Sequence, residues 1–175
     1  IAVSALYRVF PGRPFGFAPQ LAIAFFAGVV IKDRKWAFIL PVLSMFISDL
    51  LYQWLFTANM SDMQGFYEGQ WQNYLLFAGL VSIGFLFKKI NLVNITTGSV
   101  ATAVVFFLAS NFIVWSGWQG TRGWGRPMTW DGLVACYIDG IPFFWTSLAS
   151  TLFFSALFFG TYVLLNRKSV QLQAA

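Results

Sequence analysis

The stretch FAPQLAIAFFAGVVIKDRKWAFILPVLSMFISDLLYQWLF, Phe17 to Phe56, decides the fold class. Two apolar runs flank a basic turn, Lys32-Asp33-Arg34-Lys35. As a helix, the second run, Trp36–Phe56, rises about 31 Å, enough to cross a hydrocarbon core of roughly 30 Å. Asp49 lies inside it. A carboxylate at that depth costs on the order of 2.5–3.5 kcal/mol on insertion scales, so it must face protein or water and find a partner. The first run carries Ala24 and Gly28 one turn apart. Such small residues let another helix approach closely in lipid, although an apolar helix rich in Ala and Gly also shows them by chance.

Composition points the same way. The chain is 58% hydrophobic and 10% charged, against about 45–50% and about 25% in soluble domains. An integral membrane protein of one domain, residues 1–175, is expected, with room for five or six spans. The formal charge is +5, but the basic residues cluster at span ends, where they act as orientation signals and make no nucleic-acid face. Histidine is absent and Cys136 is the lone cysteine. That removes the commonest metal and haem ligand and any internal disulfide, and no metal or cofactor is expected. No cleavable signal peptide is recognisable, and the chain opens at Ile1 without Met, so the first helix is read as truncated.

The remaining segments follow by punctuation and apolar length. Ile1–Phe10 is too short to span and is broken by Pro11-Gly-Arg-Pro-Phe-Gly. Pro19 suits the first turn of the second helix, which runs to Ile31. The third is Trp36–Phe56, with Pro41 inside. A polar stretch, Thr57–Gln70, leads to a fourth helix, Trp71–Phe87, closed by Lys88-Lys89. A fifth covers Ile95–Trp115, its Gly98, Ala101 and Thr102 favouring tight packing. After a loop rich in Gly, Trp and Arg, a short helix is expected at Asp131–Asp139, capped by Thr129 or Asp131 and ended by Gly140-Ile-Pro. The last span is Phe143–Leu165, followed by Arg167-Lys168.

Counting Lys and Arg at alternate ends places Lys32, Arg34, Lys35, Lys88, Lys89, Arg167 and Lys168 on one side and Arg8, Arg13, Arg122 and Arg126 on the other. The positive-inside rule makes the first side cytoplasmic, with both termini on the inner side of the plasma membrane. Asp49 then falls in the outer half, with Tyr52 and Gln53 following on its face. Asn73, Asn111, Tyr137 and Asp139 reach the same leaflet from other segments. The reading is an outward-open pocket binding a small molecule through Asp49, Gln53, Asn73, Asn111, Trp115, Tyr137 and Asp139, with Phe17, Trp115, Trp118 and Trp124 as aromatic walls. These polar groups also suit a network that only holds helices together, Asp139 a turn cap, and the Trp residues interface anchors. Arg13, Arg122 and Arg126 lie in outer loops, where they could attract an anion or simply be solvated. Nothing reads as an enzyme: there is no His base, no glycine-rich phosphate loop and no Cys/His cluster.

The runs GFAPQLAIAFFAG, KDRKWAFILPVLSMFISDLLY, ASNFIVW and GLVACYIDGIPFFWTSLASTLFFSALFFG, in that order, resemble a family of uncharacterised bacterial six-helix membrane proteins. The most specific pieces are Asn-Phe-x-x-Trp at Asn111–Trp115 and Cys-Tyr…Pro-Phe-Phe at Cys136–Phe144. That family looks like the substrate-binding S-components of energy-coupling-factor (ECF) transporters. The resemblance implies an all-α bundle of six transmembrane helices that binds a vitamin or similar micronutrient from outside. It also implies a membrane coupling subunit and cytoplasmic ATPases as partners, gripped through the Ala24 and Gly28 face. The competing expectation is a structural or accessory subunit of a larger inner-membrane complex, with no ligand of its own.

Overall fold

The computed structural model describes residues 2–14, 16–117 and 125–166, which form six α-helices. They are α1 (Ala2–Val9), α2 (Gln20–Val30), α3 (Arg34–Thr57), α4 (Gln70–Gly84), α5 (Leu92–Trp115) and α6 (Trp130–Leu165). The expectations placed on Trp118, Arg122, Trp124, Arg167 and Lys168 lie outside the described residues. Helices α3, α5 and α6, of 24, 24 and 36 residues, are long and apolar enough to cross a membrane. Helix α2 is a shorter apolar helix of 11 residues, and α1 and α4 have 8 and 15. These three rise at most about 23 Å, short of a hydrocarbon core of roughly 30 Å. Over the described residues the protein is therefore all-helical with three candidate spans.

Local chemistry explains the helix starts. The Asp33 carboxylate accepts from Lys35 N at 2.8 Å and opens α3. Asn91 accepts from Asn94 N at 2.8 Å and opens α5. Thr129 accepts from Gly132 N at 3.2 Å, which settles the expected choice between Thr129 and Asp131 as the cap of α6. Each such cap satisfies an N–H that has no partner within its helix.

One boundary differs from expectation. No break occurs at Gly140-Ile-Pro: α6 runs unbroken from Trp130 to Leu165 with Pro142 inside it. Proline removes a ladder hydrogen bond, but neighbouring helices and small local adjustments make this tolerable in membrane helices. At about 54 Å, α6 is far longer than a bilayer core, so only part of it can lie in hydrocarbon.

Packing is inverted relative to a water-soluble bundle. Helix α3 buries small and polar residues, Ser44, Ser48, Asp49 and Tyr52 among them. Its opposite stripe, Leu43, Phe46, Leu50 and Trp54, is 40–63% exposed, a face suited to lipid. Helix α2 is central, packing on α3, α4, α5 and α6. It meets α4 backbone to backbone, since a Cβ at Gly28 would stand 2.1 Å from Val81 O and one at Gly84 2.6 Å from Phe25 O. Phe25 lies over Gly98 of α5 and against Phe87 and Phe159, with ring centroids 5.5 and 5.4 Å apart. Ala24 and Gly28 do permit close helix approach, but the helix they receive is this chain's own α4. Both are fully enclosed there and form no face open to another subunit.

Candidate functional site

The site is built on the Asp49 carboxylate, which is 2% exposed. Its Oδ1 is paired with the Arg8 guanidinium from the end of α1. Its Oδ2 accepts from Gln70 Nε2 at 2.6 Å and from Tyr74 Oη at 2.7 Å, both on α4. Gln70 Nε2 also donates to Gly65 O at 2.8 Å, tying in the loop before α4. Gly65 has no room for a side chain, because a Cβ would stand 1.9 Å from Asp49 O. Arg8 further donates to Ser48 Oγ at 2.6 Å and sits 5.5 Å over the Tyr52 ring. The carboxylate thus has a charged partner and two neutral donors, which a buried ion requires.

A second arginine closes this cluster from the segment between α1 and α2. Gly12 and Gly16 adopt φ of 83° and 80°, a region open mainly to glycine, and the turns they make fold Arg13 back over the end of α1. Arg13 Nε donates to Arg8 O at 2.6 Å, Nη2 to Tyr52 Oη at 3.1 Å and Nη1 to Phe17 O at 3.4 Å. The Tyr52 hydroxyl in turn donates to Arg8 O at 2.6 Å.

Two cavities open beside this network. One, of about 290 Å³, is lined by Arg8, Arg13, Gln20, Asp49, Tyr52 and Asn73 on its polar side and by Leu21, Met45, Phe77 and Phe106 on its apolar side. The other, of about 280 Å³, lies between α5 and α6 and is lined by Asn111, Cys136, Asp139, Phe107 and Phe144 among others. Asn73, Phe106 and Ser147 line both, so the two adjoin.

Of the residues expected to meet a ligand, Asp49, Asn73, Asn111 and Asp139 line these cavities. The other three are placed elsewhere. Gln53 Oε1 accepts from Phe66 N at 3.2 Å and pins the loop. Trp115 Nε1 donates to Pro127 O at 3.0 Å, and Tyr137 Oη to Leu108 O at 2.9 Å. Asp139 does not cap a turn. It lies within α6, its side chain 40% exposed, and accepts from Arg126 Nη2 at 2.5 Å and Nε at 3.1 Å. Phe17 packs on Phe153 and Phe154, and phenylalanines 77, 106, 107, 143 and 144 form the aromatic lining instead.

Sequence reasoning missed Arg8, Gln70 and Tyr74 as the partners of Asp49, and Gln20 as a cavity residue. Gln20 alone left a signal: it is the one polar side chain between Pro19 and the apolar run of α2.

Among the described residues, six helices, three of them long and apolar enough to cross a membrane, define a helical protein of the membrane class. The chain belongs to a family described as a family of unknown function (DUF6580), whose model matches residues 1–173. No curated protein and no solved structure matches it.

Proposed function

We propose that this chain is the membrane-embedded binding component of a small-molecule uptake system, similar in kind to the S-components of ECF transporters. The observation that carries this reading is the pair of adjoining cavities at one end of the bundle, each walled by phenylalanines and lined by a few polar groups. Small-molecule sites have this make-up, and their volumes begin at about 300 Å³. In this reading all six helices lie in the inner membrane, and the cavities open outward. Both termini are cytoplasmic, in keeping with Lys32, Arg34, Lys35, Lys88 and Lys89 at the opposite end. The chain carries no nucleotide motif, so a coupling subunit and ATPases would supply the energy.

The saturation of Asp49 favours a second reading, an accessory subunit whose polar groups only tie helices. Mass spectrometry of protein purified from its native membrane separates the two. The binding component releases a stoichiometric small organic molecule on denaturation and associates with ATPase chains. The accessory subunit releases none and remains in a stable assembly without them. In intact cells an impermeant thiol reagent should label Asp62→Cys and spare Lys89→Cys; the reverse would sink the outward orientation.

A further inference from the structure

The cavity beside α1 is unbalanced in charge. Arg8 and Asp49 neutralise each other, but Arg13 has no such partner. It bonds only neutral carbonyl and hydroxyl oxygens, and among the described residues no carboxylate forms an ion pair with it. Gln20, on the same cavity, is 5% exposed, yet neither its Nε2 nor its Oε1 has a hydrogen-bond partner. A buried amide without partners is rare enough in folded proteins to need a reason. Gln72 Oε1 and the hydroxyls of Ser44, Ser99 and Ser155 also lack partners, but none of these residues lines either cavity. Helix α2 begins at Gln20 with no side-chain cap, so the positive end of its dipole is also directed to this region.

These three features favour an anion and disfavour a cation, while Met45, Phe77 and Phe106 in the same lining favour an apolar body. We propose that the cavity takes a small organic carboxylate, its carboxylate group held by Arg13 and the Gln20 amide and its body lying toward Phe77 and Phe106. The inference rests on the binding-component reading and names its ligand class.

The test uses the full chain in phosphatidylcholine nanodiscs with two matched pairs of probes, 3-phenylpropionate and indole-3-acetate against their carboxamides. Retention is measured by equilibrium dialysis. Each acid should be retained at least tenfold better than its amide. Arg13→Gln should remove that preference and Arg13→Lys keep most of it. Gln20→Leu, which discards an unpartnered amide, should raise the thermal midpoint of the ligand-free protein while lowering acid retention at least fivefold. Amides retained as well as acids, or a Gln20→Leu protein that melts lower and retains the acids fully, would overturn the carboxylate assignment. Retention of neither member of both pairs also overturns it, and the co-purification experiment then decides separately whether any small molecule binds. A lipid phosphate offers the same charge. Loss of the acid preference when phosphatidylglycerol is added to the discs would transfer the site to a headgroup and overturn the free-acid assignment.

Discussion

The two ends of this bundle solve opposite problems. At the end bearing Lys32–Lys35 and Lys88-Lys89, α2 and α4 touch backbone to backbone through Gly28 and Gly84. A groove there of about 550 Å³ is lined by Ile23, Phe26, Leu40, Leu157 and Phe158 and by no charged group. At the other end, helices are held apart by side chains that reach across: Arg8 to Asp49, Gln70 and Tyr74 to Asp49, Arg13 to Tyr52. Backbone contact leaves no room between α2 and α4, and the space at that end is an apolar groove, whereas the cavities at the other end are lined in part by the polar network. The lesson is that polar-lined space in this bundle comes with hydrogen-bonded struts, and such struts need a partner for every buried charge.

Enlarging the packed end should have the largest effect. In Gly28→Leu the first added carbon would meet the Val81 carbonyl and the Gly84 backbone, which cannot rotate away as a side chain can. The expected cost is about 3 kcal/mol or more, read as collapse of folded yield and of the thermal midpoint in detergent. A Gly28→Leu protein of ordinary stability would mean that α2 and α4 are not in backbone contact and that the contrast between the ends is false.

Breaking the strut at the other end should cost somewhat less. Asp49→Leu leaves Arg8 unpaired, but the Arg8 side chain keeps 24% of its surface exposed and can draw on water. A loss of about 2–3 kcal/mol is expected, below the range for a fully buried pair. Arg8→Met should cost a similar amount, and the double variant less than the two together, with a coupling of about 1–3 kcal/mol in unfolding titrations. Strict additivity would show that the two side chains do not act as a unit.

How much of this was legible in the sequence follows from the range of each interaction. Helix existence was readable, because apolar runs and breakers such as Pro11-Gly12 and Lys32–Lys35 act locally. The continuity of α6 was not, because Pro142 ends a helix in water and is tolerated where neighbours and lipid enforce the ladder. Asp49 was legible as a buried carboxylate in need of a partner, yet Arg8 lies 41 residues away and Gln70 21. No periodicity links them. Trp115 and Tyr137 looked like pocket residues because aromatic residues with polar tips suit both ligands and backbone carbonyls, and here Pro127 O and Leu108 O take them. Arg13, Arg122 and Arg126 were read as loop charges and Arg8 only as an orientation signal, whereas Arg8 is a counter-ion inside the bundle and Arg13 a cavity residue.

The smallest expected effect concerns the second carboxylate, and it sharpens the contrast between a strut and a surface pair. Asp139 and Arg126 are each 40% exposed, so water screens the charges and the side chains pay entropy to stay together. Pairs of this kind contribute about 0–1 kcal/mol. The segment around Arg126 is also held without it, since Trp115 Nε1 bonds Pro127 O and Gly132 packs directly under that carbonyl. Arg126→Gln should therefore lower stability by less than about 1 kcal/mol, and the difference from the parent protein should vanish by roughly 1 M salt, where the Debye length falls to about 3 Å. Asp49→Leu should show no such salt dependence, because its partners are enclosed. If Arg126→Gln proved as costly as Asp49→Leu and as indifferent to salt, Asp139 would have to be a second buried strut, and the cavity it lines would be closed to water.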